Sequence, residues 1–314
     1  MKIVISGGTG LIGQRCISHF ANDGNKIVVL SRSPESAPVF PESVSVVKWD
    51  GKNTGDWINE LDHASAVINL AGASIAGKGF FPSRWTESRK ESILQSRIQV
   101  GKAITEGIRS VQNKPDLLIQ ASAIGYYGTS EKEKFSESDP SGSDFVAKTC
   151  QAWEASTREV ENMHVRRVIP RLGIVLSHRG GALPRLVLPF RLFLGGPMGN
   201  GKQWYSWIHI DDVCRAFHFF IKNREVSGVF NITAPNPVRN QTFASILGET
   251  MERPCWIPVP GLMMRLIFGD VASVVLEGQR VLPHRLQKAD FTFDYPDLER
   301  ALRHLLDSPL DQTG

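Results

Sequence analysis

Short apolar runs alternate with amphipathic stretches through the first half of the chain. Ile3-Val4-Ile5 stops at Ser6, and from Leu11 the apolar positions Leu11, Ile12, Ile17 and Phe20 take up helical spacing. Lys26 to Leu30, Val44 to Trp49 and Ala64 to Leu70 then read as strands. Ser83 to Val111 is helical in Ile93, Leu94, Ile98, Val100 and Ile104, and Leu117 to Ala121 is a further strand. Val146 to Val160 reads as a helix and Arg167 to Leu172 as a strand, whose Pro170 suits an edge or a strand end. Strands alternating with helices predict an α/β fold, a doubly wound parallel (Rossmann) sheet with its ligand at the carboxyl ends of the strands.

The second half is less regular. Leu183 to Leu194 predicts a helix roofing a cleft, and Gly195 to Gly201 a mobile loop over it. Asp211-Asp212 is expected to cap a helix running to about Asn223, with His209 structural. Gly228 to Thr233 predicts a strand added to the main sheet, and Asn240 to Glu252 a helix entered through Asn240 or Thr242. Val271 to Leu276 fits helix or strand equally. Leu298, Ala301, Leu302 and Leu305 mark one face of a last helix. The expected organisation is a dinucleotide-binding domain over 1–175, with 204–234 returning to it. Segments 176–203 and 235–314 would form a smaller C-terminal α+β substrate or lid domain.

The length of 314 residues suits about two such units. A formal charge of +4 is too small to imply nucleic acid. No apolar run reaches the roughly 18 residues that span a bilayer, and the first residue leads directly into a strand. Cys16, Cys150, Cys214 and Cys255 lack the paired spacing of a zinc or redox motif, so no metal is expected. These features predict a cytoplasmic protein with reduced thiols and a small-molecule substrate, with an oligomer left open.

The chemistry begins at the first turn. Gly7, Gly10 and Gly13, together with Thr9, Leu11 and Ile12, stand between a strand and a helix, the setting in which a glycine triplet cradles a diphosphate. Backbone without Cβ atoms lets the anion approach, and the helix offers free N–H groups and its positive dipole end. NAD-binding proteins carry a carboxylate about 20 residues further on, for the ribose 2′-hydroxyl. Here the corresponding strand ends in Ser31-Arg32-Ser33. A guanidinium attracts the 2′-phosphate that a carboxylate would repel, so the predicted cofactor is NADP(H).

Together with Asn69-Leu-Ala-Gly72, Ser96-Arg97, Ser122-Ala-Ile-Gly-Tyr-Tyr-Gly128, Trp153-Glu154, Gly195 to Gly201, Trp207 to Val213 and Leu276 to Arg280, these motifs carry a resemblance. The chain resembles, over essentially its whole length, the extended branch of the short-chain dehydrogenase/reductase superfamily, and more narrowly its NADP-binding 39U-type epimerase family. The resemblance implies that Leu70, Ala71 and Gly72 line the cofactor, that Glu91 and Arg97 reach it from the long helix, and that Ile174, after Gly173, reaches the nicotinamide. It also implies a Tyr-x-x-x-Lys pair for proton transfer, which this chain lacks. The matching segment reads Asp144-Phe-Val-Ala-Lys-Thr-Cys150, in which Phe145 has no proton to give and Lys148 lies only three residues on. Ser122, in the superfamily's hydroxyl position, and Tyr126, with Lys148 as a cation to lower its pKa, are the remaining candidates for proton work. The expected function is an NADP(H)-dependent oxidoreductase or epimerase transferring hydride to or from a small polar, sugar-like carbonyl or hydroxyl substrate. The alternative is a non-catalytic NADPH-binding sensor that acts through protein partners.

Overall fold

The computed structural model describes residues 1–77 and 79–307, so the last residues of the expected C-terminal unit, 308–314, lie outside the described residues. Strands in chain order are β1 (Lys2–Ser6), β2 (Lys26–Ser31), β3 (Val44–Lys48), β4 (Ala66–Asn69), β5 (Leu117–Gln120), β6 (Ser122–Ala123) and β7 (Lys134–Phe135). They continue with β8 (Arg166–Leu172), β9 (Ile174–Leu176), β10 (Trp204–Tyr205), β11 (Trp207–His209), β12 (Gly228–Ile232), β13 (Val238–Arg239) and β14 (Arg280–Val281). The α-helices are α1 (Leu11–Asn22), α2 (Glu87–Ser110), α3 (Phe145–Ala155), α4 (Leu183–Arg191) and α5 (Ile210–Lys222). After them come α6 (Asn240–Met251), α7 (Gly261–Phe268), α8 (Ser273–Leu276), α9 (His284–Lys288) and α10 (Leu298–Asp307). None of the described helices is long and apolar enough to cross a membrane.

The main sheet is parallel, in the order β12-β8-β5-β4-β1-β2-β3, with β6 continuing beside β8. Period-two alternation sends Ile3, Ile5, Ile27 and Val29 to one face, under Cys16, Ile17 and Phe20 of α1 and Val213, Phe217 and Phe220 of α5. Val4, Val28, Val67 and Leu118 point the other way, under Val100, Ile104 and Ile108 of α2. Strands buried on both faces read as continuous β-branched runs, which is why the sheet was legible. The chain leaves β1 toward β2 and β3, then returns to place β4 on the other side of β1. That reversal opens a crevice at the carboxyl ends of β1 and β4, the usual ligand site of such sheets. A third core packs Leu183 and Val187 of α4, Phe243 and Leu247 of α6, and Leu302 and Leu305 of α10 around Trp207.

Several expectations are corrected. Pro170 lies inside the sheet, since β8 is flanked by β12 on one side and β5 and β6 on the other. The ladder to β5 and β6 skips from Ile119↔Val168 to Ser122↔Arg171, so the break falls opposite Ile169 and Pro170, where proline lacks a donor. α3 ends at Ala155, and a 3₁₀ turn over Arg158–Met163 replaces its expected last turn. The cap of α5 is His209, whose Nδ1 accepts from the Asp211 N–H at 3.0 Å; Asp211 and Asp212 lie within the first turn. α6 begins after Arg239 without a side-chain cap, and Asn240 Oδ1 instead accepts from the Met198 N–H at 2.8 Å. The segment 195–201 is tied down rather than free: Trp256 and Ile257 N–H donate to the Gly195 carbonyl, Val259 N–H to Pro197, and Gly199 N–H to Val259. Val271 to Leu276 is helical, a 3₁₀ turn running into α8.

Candidate functional site

The glycine turn sits at the crevice. Gly7 has φ +75°, and a Cβ there would lie 2.8 Å from the Ala71 nitrogen and the Leu70 carbonyl carbon, so the turns after β1 and β4 touch backbone to backbone. Gly10 N–H donates to the Gly7 carbonyl at 3.1 Å. A Cβ on Gly13 would meet the Gly7 oxygen at 2.4 Å, so this glycine is needed for α1 to pack against the turn. Gly10 differs: it is exposed, and its Cβ would meet only the Gly7 oxygen, at 3.3 Å. Gly10 stands at the N-cap of α1, no side chain caps the helix, and its first turn holds no acid. Ser, Thr, Asp and Asn are favoured at this position because their side chains accept from the free N–H groups of the first turn. An uncapped helix start with an open glycine in front of it fits a diphosphate.

Beneath the turn runs a buried polar row. Ser6 Oγ donates to Asn69 Oδ1 at 2.7 Å, and Asn69 Nδ2 to Gln120 Oε1 at 2.8 Å. Asn69 Oδ1 also takes the Ala71 N–H at 3.3 Å, which shapes the Leu70-Ala71-Gly72 turn. Thr9 is exposed and its carbonyl accepts from the Gln14 amide at 2.7 Å, while Leu11 and Ile12 open α1 at partial exposure. Leu11 also meets the segment after β9, since a Cβ on Gly181 would stand 3.0 Å from it. At the end of β2, Ser31 Oγ accepts from Ser33 N–H at 3.2 Å. Arg32 is exposed beside it, and no carboxylate pairs with it among the described residues. Ile174 opens β9, its N–H on the Ser206 carbonyl at 2.9 Å, and Gly173 is required because a Cβ would lie 2.4 Å from that same oxygen.

On α2, Glu91 is exposed while Arg97 is 8% exposed. Arg97 Nη1 donates to the carbonyls of Ala73 and Ile93 at 3.0 and 2.9 Å, and its guanidinium lies 4.8 Å from the Trp153 ring. Burial lowers its pKa from the usual arginine range.

The candidates for proton work are only partly brought together. Ser122 is 1% exposed, and its Oγ donates to Glu154 Oε1 at 2.6 Å. Glu154 is clasped by Arg171, whose guanidinium stacks 3.3 Å from the Tyr126 ring centroid and donates to the Tyr127 hydroxyl at 3.0 Å. Burial pushes the Tyr127 phenol up to about 12. Lys148 stands apart. It is exposed, whereas Phe145, Val146, Thr149, Cys150 and Trp153 of the same helix line a recess against α2. Phe145 and Thr149 have the four-residue spacing of the pair that the resemblance implies, and Thr149 Oγ1 is held by the Phe145 carbonyl at 2.8 Å. Glu154, Arg171 and Trp153 were not singled out as site residues from the sequence. The Trp153-Glu154 motif was the signal available for two of them.

The fold and the glycine cradle define a dinucleotide-binding α/β protein of the Rossmann type. Residues 3–233 match the model of the NAD-dependent epimerase/dehydratase family, and residues 259–305 that of a domain of unknown function, DUF1731. The chain belongs to the NAD-dependent epimerase/dehydratase family. It is 38% identical over 311 residues to the epimerase family protein SDR39U1 homolog, chloroplastic, of Arabidopsis thaliana, across 98% of this chain and 87% of that one. Among solved structures it is similar to human epimerase family protein SDR39U1 (isoform 2) with NADPH, at TM-score 0.88 and 30% identity over 98% of this chain and 100% of the other. A nucleoside-diphosphate sugar epimerase from Corynebacterium glutamicum matches at TM-score 0.77 and 30% identity, over 98% of this chain and 58% of that chain.

Proposed function

We propose that this chain is a cytoplasmic NADP(H)-dependent oxidoreductase or epimerase acting by hydride transfer on a small polar, sugar-like carbonyl or hydroxyl substrate. The observation that carries the reading is the glycine cradle, open in front of an uncapped, acid-free helix start. Gly7, Thr9, Gly10, Leu11, Ile12 and Gly13 would hold the diphosphate, and Ser31 and Arg32 the 2′-phosphate. Leu70, Ala71, Gly72 and Ile174 would line the carrier toward its nicotinamide end, with Glu91 and Arg97 on the α2 side. Bound NADP(H) supplies or accepts the hydride. The crystallised human relative with NADPH supports this choice of cofactor, and the sugar epimerase relative supports the substrate class.

The chain's own residues define what else the site can do. Tyr126 lays its ring against the Arg171 guanidinium, 3.3 Å from the ring centroid, and is the phenol proposed for proton transfer. Ser122 orients Glu154 and, through it, that guanidinium. Lys148 is a source of positive charge at the surface of α3. A second reading, a non-catalytic NADPH sensor acting through partners, is favoured by two observations. Phe145 stands where the family's tyrosine would be, and the Ser122 hydroxyl is already engaged.

Titration of NADPH fluorescence, with protection of the protein against heat, tests binding. Loss of NADPH absorbance over a panel of sugar and other small carbonyl compounds tests turnover. Binding with turnover supports the enzyme, binding without turnover across the panel supports the sensor, and absence of saturable binding removes both. Tyr126→Phe and Lys148→Ala, assayed on any substrate so found, test the proton assignment. A rate loss under about threefold in both would exclude it.

A further inference from the structure

α1 and α5 lie side by side on one face of the main sheet, and their contacts fix their relative direction. Arg15 pairs with Asp211, Cys16 Sγ lies 3.1 Å from Cys214 Sγ, and the ring centroids of His19 and His218 are 5.6 Å apart. The partners advance together along both helices, so the two run parallel and their carboxyl-terminal ends point the same way. Each such end carries the negative pole of a helix dipole, which favours a cation there. At that place stand His19 in the last turn of α1, Asp23 at its C-cap, and His218 near the end of α5. His19 and Asp23 are four residues apart, so they share one side of the helix. His218 Nδ1 lies 3.1 Å from Asp23 Oδ2, and one ligand atom from each of the three residues falls within 4.8 Å of the others. Phe20 lies beside both imidazoles, with ring centroids 5.7 Å from His19 and 6.3 Å from His218. The His218 and Asp23 side chains are 29% and 42% exposed, which leaves an ion a way in.

We propose that His19, Asp23 and His218 bind one divalent transition-metal ion, with zinc the best match, and that the ion clasps α1 to α5. Zinc bonds of about 2.0–2.1 Å at a tetrahedral centre set neighbouring ligand atoms about 3.3 Å apart, close to the separation of His218 and Asp23. The ion would displace the proton that lies between those two groups, and a small turn of the His19 side chain brings in the third ligand. Two imidazoles and one carboxylate suit zinc, whereas magnesium demands oxygen ligands in an octahedron. Among the described residues no fourth His, Cys, Asp or Glu joins the three, which leaves one position to water. The unpaired spacing of the cysteines argues against thiolate sites only, and this set comes from two helices far apart in the chain. The other grouping of such side chains, His209, Asp211 and His304, is less suited to an ion. There His209 Nδ1 already takes the Asp211 N–H, and its Nε2 faces His304. His19 lies about 13 Å along α1 from Gly10, at a rise of about 1.5 Å per residue. The ion therefore serves the packing of the helix behind the glycine turn and takes no part in hydride transfer.

Calorimetric titration of the full chain, free of any affinity tag and stripped with a chelator, with zinc chloride tests this. The expected result is one zinc per chain with a Kd of about 10 µM or tighter, and no saturable binding of magnesium chloride below about 1 mM. At about a hundredfold excess over that Kd, zinc should raise the melting temperature by about 4 °C. His19→Gln and His218→Gln should each weaken zinc at least about tenfold, while the metal-free melting temperature stays within about 2 °C of wild type. His304→Gln should leave zinc affinity within about twofold. Cobalt(II) in place of zinc reads the ligand types, and an absorption spectrum without thiolate charge transfer is expected. Undiminished zinc affinity in both His19→Gln and His218→Gln would overturn the proposal, as would a loss confined to His304→Gln. Several weakly held zinc ions per chain, or equal binding of magnesium, would also overturn it. So would a thiolate charge-transfer band, which would hand the ion to Cys16 and Cys214.

Discussion

Glu154 of α3 and Arg171 of β8 meet through two hydrogen bonds, Nε to Oε1 at 2.8 Å and Nη2 to Oε2 at 2.9 Å. Their side chains are 11% and 4% exposed. Ser122 donates to the same carboxylate, and the Tyr127 hydroxyl, which takes a bond from Arg171, passes one to Asn231 Oδ1 at 2.7 Å. The network joins α3 to the carboxyl ends of β6, β8 and β12, so it fixes the wall of the cleft that carries Ser122 and Tyr126. Removing one member leaves the other charge buried without a partner. Arg171→Leu should cost about 3–5 kcal/mol in urea unfolding, and the double variant with Glu154→Leu should recover part of that loss. A cost under about 1 kcal/mol for Arg171→Leu would show that the pair does not hold the wall.

The glycines of the first turn should separate folding from binding. In Gly13→Ala the new methyl lies 2.4 Å from the Gly7 oxygen, so the turn or α1 must shift, and thermal stability should fall together with NADPH affinity. In Gly10→Ala the methyl points into open space apart from one contact at 3.3 Å, and the backbone there is ordinary at φ −81°. The melting temperature should hold, while NADPH affinity falls at least about tenfold because the methyl occupies the anion's approach. Unchanged affinity in Gly10→Ala would move the diphosphate away from this turn.

Arg32 tests the choice between the two dinucleotides. It is exposed and without a carboxylate partner among the described residues, so its replacement should leave the fold intact. Arg32→Asp should weaken NADPH relative to NADH by at least about tenfold, since a charge-assisted contact is lost and a like charge gained. Competitive titration with the two reduced dinucleotides measures this directly. Unaltered discrimination would remove Arg32 from the cofactor site.

What the sequence showed was what lies close together along it. Strand, glycine turn and helix fall within Lys2–Asn22, and their periodicities change where the elements do. The buried network was not visible, because its partners are far apart in sequence: Tyr127 and Asn231 are separated by 104 residues, and Ser122 and Glu154 by 32. Glycine content suggested a mobile loop at 195–201, but backbone bonds from 256–259 hold it, and composition carries no trace of such a pairing. Pro170 suggested an edge because only β8 itself was in view. The gap in the neighbouring ladder that accommodates it became visible only with the sheet assembled. Strand–helix alternation makes Lys148 the nearest cation expected beside Tyr126, but the turn of α3 takes it to the surface.

His209 is fully buried, stacked on Tyr295 with ring centroids 3.8 Å apart, and its Nε2 lies 3.1 Å from His304 Nδ1. Burial is the main cause that lowers its pKa, to about 4, with His304 and Arg15 adding to it and Asp211 opposing. The folded protein therefore keeps this imidazole neutral where the unfolded chain, near 6.5, has begun to bind a proton. Because the unfolded state takes up more protons in that window, stability is full above about pH 6.5 and falls as pH drops toward about pH 4, by up to about 3 kcal/mol from this group. His209→Asn keeps an acceptor for the Asp211 N–H but removes the titration. Urea unfolding across the window should show wild type losing about 3 kcal/mol more than the variant, and parallel losses would mean that His209 is not the group responsible.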